Sequence, residues 1–222
     1  MNLKGIVVGL GGRAHSWYKV CQENKSVQLV GFVEPAETNR ARAIKDWGVD
    51  AKTIHTTLKD AVAASKADFV IDVTPPVVHE QVALESFKAG LHVLGEKPLS
   101  DSREAAQRMA AAGKKAGKRH MITQNYRFGA VPRTARRLLK EGLIGKPEFL
   151  DIAFYMAWAD FPGSHYVEKP YMFLNDMGIH HFDMIRYVLD TEAQSAQTIS
   201  WNPSWGWHKG DASHVVVFKC KG

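Results

Sequence analysis

The chain has 222 residues, 45% hydrophobic and 23% charged, which excludes wholesale disorder and allows one or two domains with a real core. No apolar run reaches the ~18 residues that a bilayer span needs, and the first residues lack the apolar length of a signal peptide. Lys and Arg number 29 against 23 Asp and Glu; they are scattered, and the densest group, Arg133, Arg136, Arg137 and Lys140, has helix-face spacing, so the surplus suits an anionic small ligand better than nucleic acid.

In chain order, short β-rich runs alternate with helical patterns. Residues 4–8 read as a strand, followed by Ala14, Trp17, Tyr18 and Cys21 at helical spacing. Residues 27–33 read as a strand, 38–47 as a helix, 53–55 as a short strand and 58–64 as a helix. A buried strand at 68–73 precedes a helix marked by Val78, Val82 and Phe87, and another strand follows at 91–94. Asp101 with Glu104 three residues on has the form of a capping box, with Ala105, Met109, Ala112 and Ala116 as the apolar stripe behind it. A strand at 121–123 closes the series. Continuous apolar strands alternating with helices predict a parallel sheet covered on both faces.

From Asn125 the pattern changes. A basic helix at 132–141, a strand at 148–158, an irregular aromatic stretch at 159–171, a helix at 173–189 and strands at 193–201 and 213–219 predict an α+β half. The boundary is expected at 124/125.

Gly9-Leu10-Gly11-Gly12-Arg13-Ala14 lies between the first strand and first helix and fits G-x-G-x-x-[G/A]. Gly9 permits the turn, Gly11 lets the backbone approach a pyrophosphate, and Ala14 lets helix pack on strand; Gly12 and Arg13 complete the loop. Glu34 ends the second strand, where a carboxylate accepts from ribose hydroxyls and repels a 2′-phosphate; this favours NAD, while Arg40 and Arg42 nearby leave NADP open.

Three further stretches follow in order: Thr74-Pro75-Pro76-Val77-Val78-His79, Gly95-Glu96-Lys97-Pro98, and Asp176-Met177-Gly178-Ile179-His180-His181-Phe182-Asp183. With the glycine loop, they resemble the Gfo/Idh/MocA family of oxidoreductases over essentially the whole chain. The resemblance implies an α/β fold: an N-terminal Rossmann dinucleotide-binding domain (1–124) and a C-terminal α+β substrate and oligomerisation domain (125–222) with an open, mostly antiparallel sheet. It implies that Thr74, Pro75 and His79 line the nucleotide side, and that Glu96 and Lys97 sit beside the nicotinamide ribose and the substrate. It places Asn125 near the nicotinamide and Tyr126 and Arg127 near the substrate entrance. A cis peptide before Pro98 would match some relatives.

The residues carry a chemistry of their own. Thr74 and Lys97 end strands, where ligands bind in open α/β sheets. Asp176 and His180 are four apart on the predicted helix and share a face, so the carboxylate can orient the imidazole. The expected reaction transfers hydride between a nicotinamide cofactor and a secondary alcohol of a sugar, polyol or cyclitol. His180 removes the hydroxyl proton, Asp176 positions it, and Lys97 stabilises the oxygen's developing charge or relays the proton; all three also contact substrate. Ten histidines include no H-E-x-x-H and no cysteine pair at ligand spacing, so no metal is expected.

Two cysteines, Cys21 and Cys220, fit a reducing, cytoplasmic compartment. The expected partners are a small sugar or polyol and further copies of the chain through the C-terminal sheet, with neither nucleic acid nor membrane. Two features depart from the family. Tyr171-Met172-Phe173-Leu174-Asn175 stands where relatives have a glycine-rich turn, and the family's sheet continues beyond the last strand here, so the C-terminal domain is expected to be incomplete. Two other functions stay open: a non-catalytic dinucleotide-binding regulator, and a redox-assisted glycosidase that recycles its cofactor.

Overall fold

A computed structural model describes residues 2–156, 167–168 and 170–221. The chain divides into two compact units, Met1–Thr123 and Gln124–Gly222.

In the first unit, β1 (Leu3–Val8), β2 (Val27–Val33), β3 (Ile54–His55), β4 (Phe69–Asp72), β5 (His92–Gly95) and β6 (His120–Ile122) form one sheet. Every pairing is parallel and the order is β3-β2-β1-β4-β5-β6. Helices α1 (Ala14–Glu23), α2 (Glu37–Trp47), α3 (Leu58–Ala64), α4 (Pro76–Lys88) and α5 (Arg103–Lys115) make the connections. Strand side chains alternate between faces. Val7 and Ile71 therefore pack on one face with Leu10, Ala14, Phe32 and Ala43. Ile6, Val8 and Val70 pack on the other with Leu58, Ala61 and Val82. Each fully buried aliphatic side chain stabilises the unit by roughly 1.5–3 kcal/mol before entropy is subtracted. The order reverses between β1 and β4. That reversal opens a crevice at the carboxyl ends of the strands, and the loops after β1, β4 and β5 surround it.

The cap of α5 differs from expectation. Ser102, not Asp101, is the N-cap: its backbone is extended and its hydroxyl accepts from the Ala105 amide at 3.2 Å. Asp101 lies one residue too early and accepts from the Ser100 hydroxyl instead.

The second unit opens with a 3-10 turn at Asn125–Phe128, then α6 (Ala130–Lys140). The helix expected at 173–189 has two parts, a π-helical turn at Leu174–Gly178 and α7 (Ile179–Leu189). Gly178 is packed tightly enough that an added Cβ would touch Leu174 and Phe182 at 3.4 Å. Next, β7 (Ala193–Trp201) and β8 (Ser213–Cys220) pair antiparallel, Ile199 opposite Val215 and Gln197 opposite Val217. Among the described residues this ribbon is the sheet of the second unit. The strand expected at 148–158 is corrected: residues 148–156 form no strand, and 157–158 lie outside the described residues. Phe149 and Tyr155 there are exposed and have no strand to pair with among the described residues, and an apolar run without a partner has no ladder to hold it extended. Most of the aromatic stretch 159–171 also lies outside them. Among the described residues no helix is long and apolar enough to cross a membrane.

Candidate functional site

The glycine turn leads from β1 into α1. Gly9 has φ +88°, and a Cβ there would press on the Val73 backbone at 3.0 Å, so the β1 and β4 loops meet only because residue 9 has no side chain. At Gly11 and Gly12 an added Cβ would meet nothing within 4 Å. The backbone here faces open space, as a pyrophosphate cradle requires. Helix α1 begins with Arg13 in helical geometry, Ala14 buried and no side-chain cap, so its dipole and first amides suit an anion. The turn therefore fits a dinucleotide. Gly9→Ala is expected to destabilise the fold by about 1–3 kcal/mol, lowering Tm by roughly 3–10 °C in a thermal melt.

Glu34 is buried beneath this turn. Its carboxylate accepts from the Leu10 amide at 2.8 Å and the Ala36 amide at 2.9 Å, which fixes the glycine loop to the end of β2. Arg42 donates to the Leu10 carbonyl and Arg40 to the Glu34 and Pro35 carbonyls. The carboxyl end of β2 is thus bounded by one carboxylate and two guanidinium groups.

After β4, Asp72 is 2% exposed. It accepts from the Thr74 amide at 3.0 Å and the Thr74 hydroxyl at 2.6 Å. Burial pushes its carboxyl above the ordinary aspartate range, with His79 and the Thr74 hydrogen bonds pulling the other way. Pro75 caps α4, which Pro76 opens. His79, expected on the nucleotide side, lies inside the protein. It is 1% exposed, with Nδ1 3.0 Å from the Pro98 carbonyl oxygen and Nε2 2.8 Å from that of Thr74. Both ring nitrogens are engaged inside the protein, so His79 joins the two loops that border the crevice.

After β5 come Glu96, Lys97 and a cis peptide to Pro98. Glu96 Oε1 accepts from Arg13 Nε at 3.0 Å and Trp17 Nε1 at 2.8 Å, and Oε2 accepts from the Lys97 amide at 3.3 Å. Burial works to raise its carboxyl, but the Trp17, Arg13 and Lys97 interactions together hold it below the ordinary glutamate range. Arg13, at the end of the glycine loop, has its Nε on Glu96 and so ties α1 to the β5 loop.

In the second unit, His180 opens α7 and is 3% exposed. Asp176 stands four residues before it, inside the π-helical turn rather than on a continuous α-helix; such turns are frequent at functional sites. The 3-10 turn brings Asn125, Tyr126 and Arg127 together. Tyr126 stacks face to face on His180, with centroids 4.1 Å apart and planes 7° apart. Arg127, expected at a substrate entrance, donates two nitrogens to Asp183, and the Nε bond is 2.7 Å. That pairing holds the guanidinium firmly in its charged form.

Sequence reasoning missed Trp17, Asp72 and Asp183 as members of these arrangements. Trp17 lies four residues after Arg13, and Asp183 three after His180, so helical spacing already put each on the right face. Asp72 carried a weaker signal, a carboxylate at the end of an apolar strand.

A family model described as an oxidoreductase family with an NAD-binding Rossmann fold matches residues 3–124, and one for the GFO/IDH/MocA C-terminal domain matches 133–222. An inositol 2-dehydrogenase of Corynebacterium glutamicum is 26% identical over 97% of this chain and 63% of its own length. A 1,5-anhydro-D-fructose reductase of Ensifer adhaerens is 30% identical over 93% of this chain and 62% of its own. The chain therefore spans less than two thirds of these relatives. An oxidoreductase from Agrobacterium radiobacter, solved in complex with NAD+, L-tartaric acid and magnesium, superposes with a TM-score of 0.85 at 18% identity, over 98% of this chain and 63% of that one; at that identity the likeness establishes the fold.

Proposed function

The chain belongs to the Gfo/Idh/MocA oxidoreductase family, and from that premise we propose that it is an NAD-dependent dehydrogenase acting on a secondary alcohol of a sugar, polyol or cyclitol. Residues 1–124 form the dinucleotide domain in this reading, and residues 125–222 serve substrate and assembly. The observation that carries it is the open glycine turn fixed by Glu34 at the switch point of the sheet. The relatives named for sugar and cyclitol chemistry supply the substrate class.

When bound, NAD supplies the hydride acceptor. Gly11, Gly12 and the start of α1 hold the pyrophosphate, Glu34 accepts from the adenosine ribose hydroxyls, and Thr74 and Pro75 border the nucleotide. Glu96 is a carboxylate at neutral pH and accepts from the nicotinamide ribose. The family resemblance would assign Asn125 to the nicotinamide. Lys97 donates to the substrate oxygen and stabilises its growing negative charge. His180 takes the hydroxyl proton, and Asp176 orients the imidazole.

The direct test is a panel of sugars, inositols and sugar acids with NAD or NADP, followed at 340 nm. Dinucleotide affinity without turnover would make the protein a binding regulator. Sugar release without reduced cofactor would make it a redox-assisted glycosidase. Glu34→Ala removes the ribose acceptor and loosens the Leu10 amide, so NAD affinity should fall about tenfold and NADP affinity less; an unchanged NAD/NADP ratio in calorimetry would remove Glu34 from the ribose.

The free thiols Cys21 and Cys220 support a cytoplasmic setting. The exposed Ile199, Val215 and Val217 support self-association through the β7–β8 ribbon, which light scattering of the purified chain checks.

A further inference from the structure

We propose that Tyr126 is a positioning residue that fixes the plane of the His180 imidazole, and that the Arg127–Asp183 pair is the buckle holding it there. The inference deepens the reading of His180 as proton acceptor and rests on it.

His180 is nearly fully buried, whereas Tyr126 is 38% exposed. Tyr126 is therefore not placed to fill a core, and its ring lies parallel to the imidazole. Rings 4.1 Å apart and 7° from parallel make a stacked pair, which persists only while the tyrosine is held in register with α7. The holding group is the next residue in the chain. Arg127 grips Asp183 through two nitrogens and lies over the Tyr187 ring, 5.2 Å from its centroid. Arg136 of α6 lies over the same ring at 4.7 Å. His180, Asp183 and Tyr187 share one face of α7, at helical offsets of three and seven residues. The 3-10 turn and α6 thus grip α7 along a line that ends at the imidazole.

The consequence is directional. An imidazole covered on one face cannot turn about its Cβ–Cγ bond without displacing the tyrosine, so the edges carrying Nδ1 and Nε2 keep fixed directions. A proton acceptor works only when its lone pair points along the substrate's O–H. Asp176 lies in the preceding turn of the same segment, and Tyr126 adds a restraint from a separate element.

The test uses the full chain with labelled histidine and reads His180 by NMR, its ring signals assigned by their loss in His180→Gln. A stacked tyrosine shifts those protons upfield. Tyr126→Leu keeps an apolar cover without the ring: the upfield shift should vanish, and kcat on a polyol that the wild type oxidises should fall by about 10- to 100-fold, with KM for NAD within about twofold. Tyr126→Phe should keep the shift and restore kcat at least about tenfold relative to leucine. Asp183→Asn should reduce the shift without abolishing it. A His180 signal unmoved by Tyr126→Leu overturns the proposal, as does loss of the shift with kcat unchanged. If the wild type oxidises no polyol, the catalytic reading fails by itself, and the ring shift still decides whether Tyr126 fixes the imidazole.

Discussion

Lys97→Met is expected to lower kcat by about 10²–10⁴ while leaving NAD affinity within a few-fold, and His180→Ala to do the same. The two losses have different origins. Methionine keeps the length of the lysine stem but has no proton to donate, so the oxygen's developing charge loses a cation. Alanine at 180 removes the acceptor. Under the proposed mechanism both act on one oxygen and are not independent, so the double variant should be little worse than the poorer single one. The measurement is single-turnover formation of reduced cofactor at saturating substrate, with NAD affinity read separately by calorimetry. Lys97 follows Glu96, whose carboxylate is anchored by Trp17 and Arg13. A substitution at 97 therefore leaves the backbone anchor intact, and NAD affinity should survive. Wild-type turnover in either variant would remove that residue from the chemistry.

How far such roles were legible in the sequence depends on their range. The parallel sheet was readable because each strand of the first unit is an apolar run bounded by turn residues, and Leu58, Val70 and Val82 fall where periodicity puts them. The glycine turn was readable because its chemistry is local: a positive φ at Gly9 and open space at Gly11 need particular residues at particular offsets. His79, Trp17 and Asp183 were not, because their roles lie in partners 19, 79 and 56 residues away. Spacing gives the face a side chain occupies and is silent on which distant carbonyl or carboxylate it meets. The π-helical turn at Leu174–Gly178 was hidden too, since a single turn is too short to set a period of its own. The strand expected at 148–158 failed for a related reason: β-propensity describes a surface suited to pairing, and pairing is decided elsewhere in the chain.

His79→Leu is the sharpest test of that distinction. If His79 touched the nucleotide, leucine would weaken NAD binding and leave the fold's stability alone. In the structure the ring instead spans the Thr74 and Pro98 carbonyls. Leucine fills similar volume, so little cavity forms, but the carbonyl oxygen that accepts the ring N–H loses its donor. Leaving such a group unpaired costs about 1–3 kcal/mol. Tm should fall by roughly 3–10 °C. NAD affinity should fall as well, since the loops after β4 and β5 would have to be ordered by the ligand at binding's expense. The control is Val77→Ala, on the same helix but 71% exposed, which should melt within about 2 °C of wild type. Asp72 gives a second reading of the same event. Its hydrogen bonds run to Thr74, so a loosened β4 loop should also free the Thr74 amide to exchange with solvent faster, which hydrogen exchange detects without cofactor or substrate. A leucine variant that melts and exchanges like wild type, yet binds NAD weakly, would return His79 to the nucleotide and take it out of the scaffold.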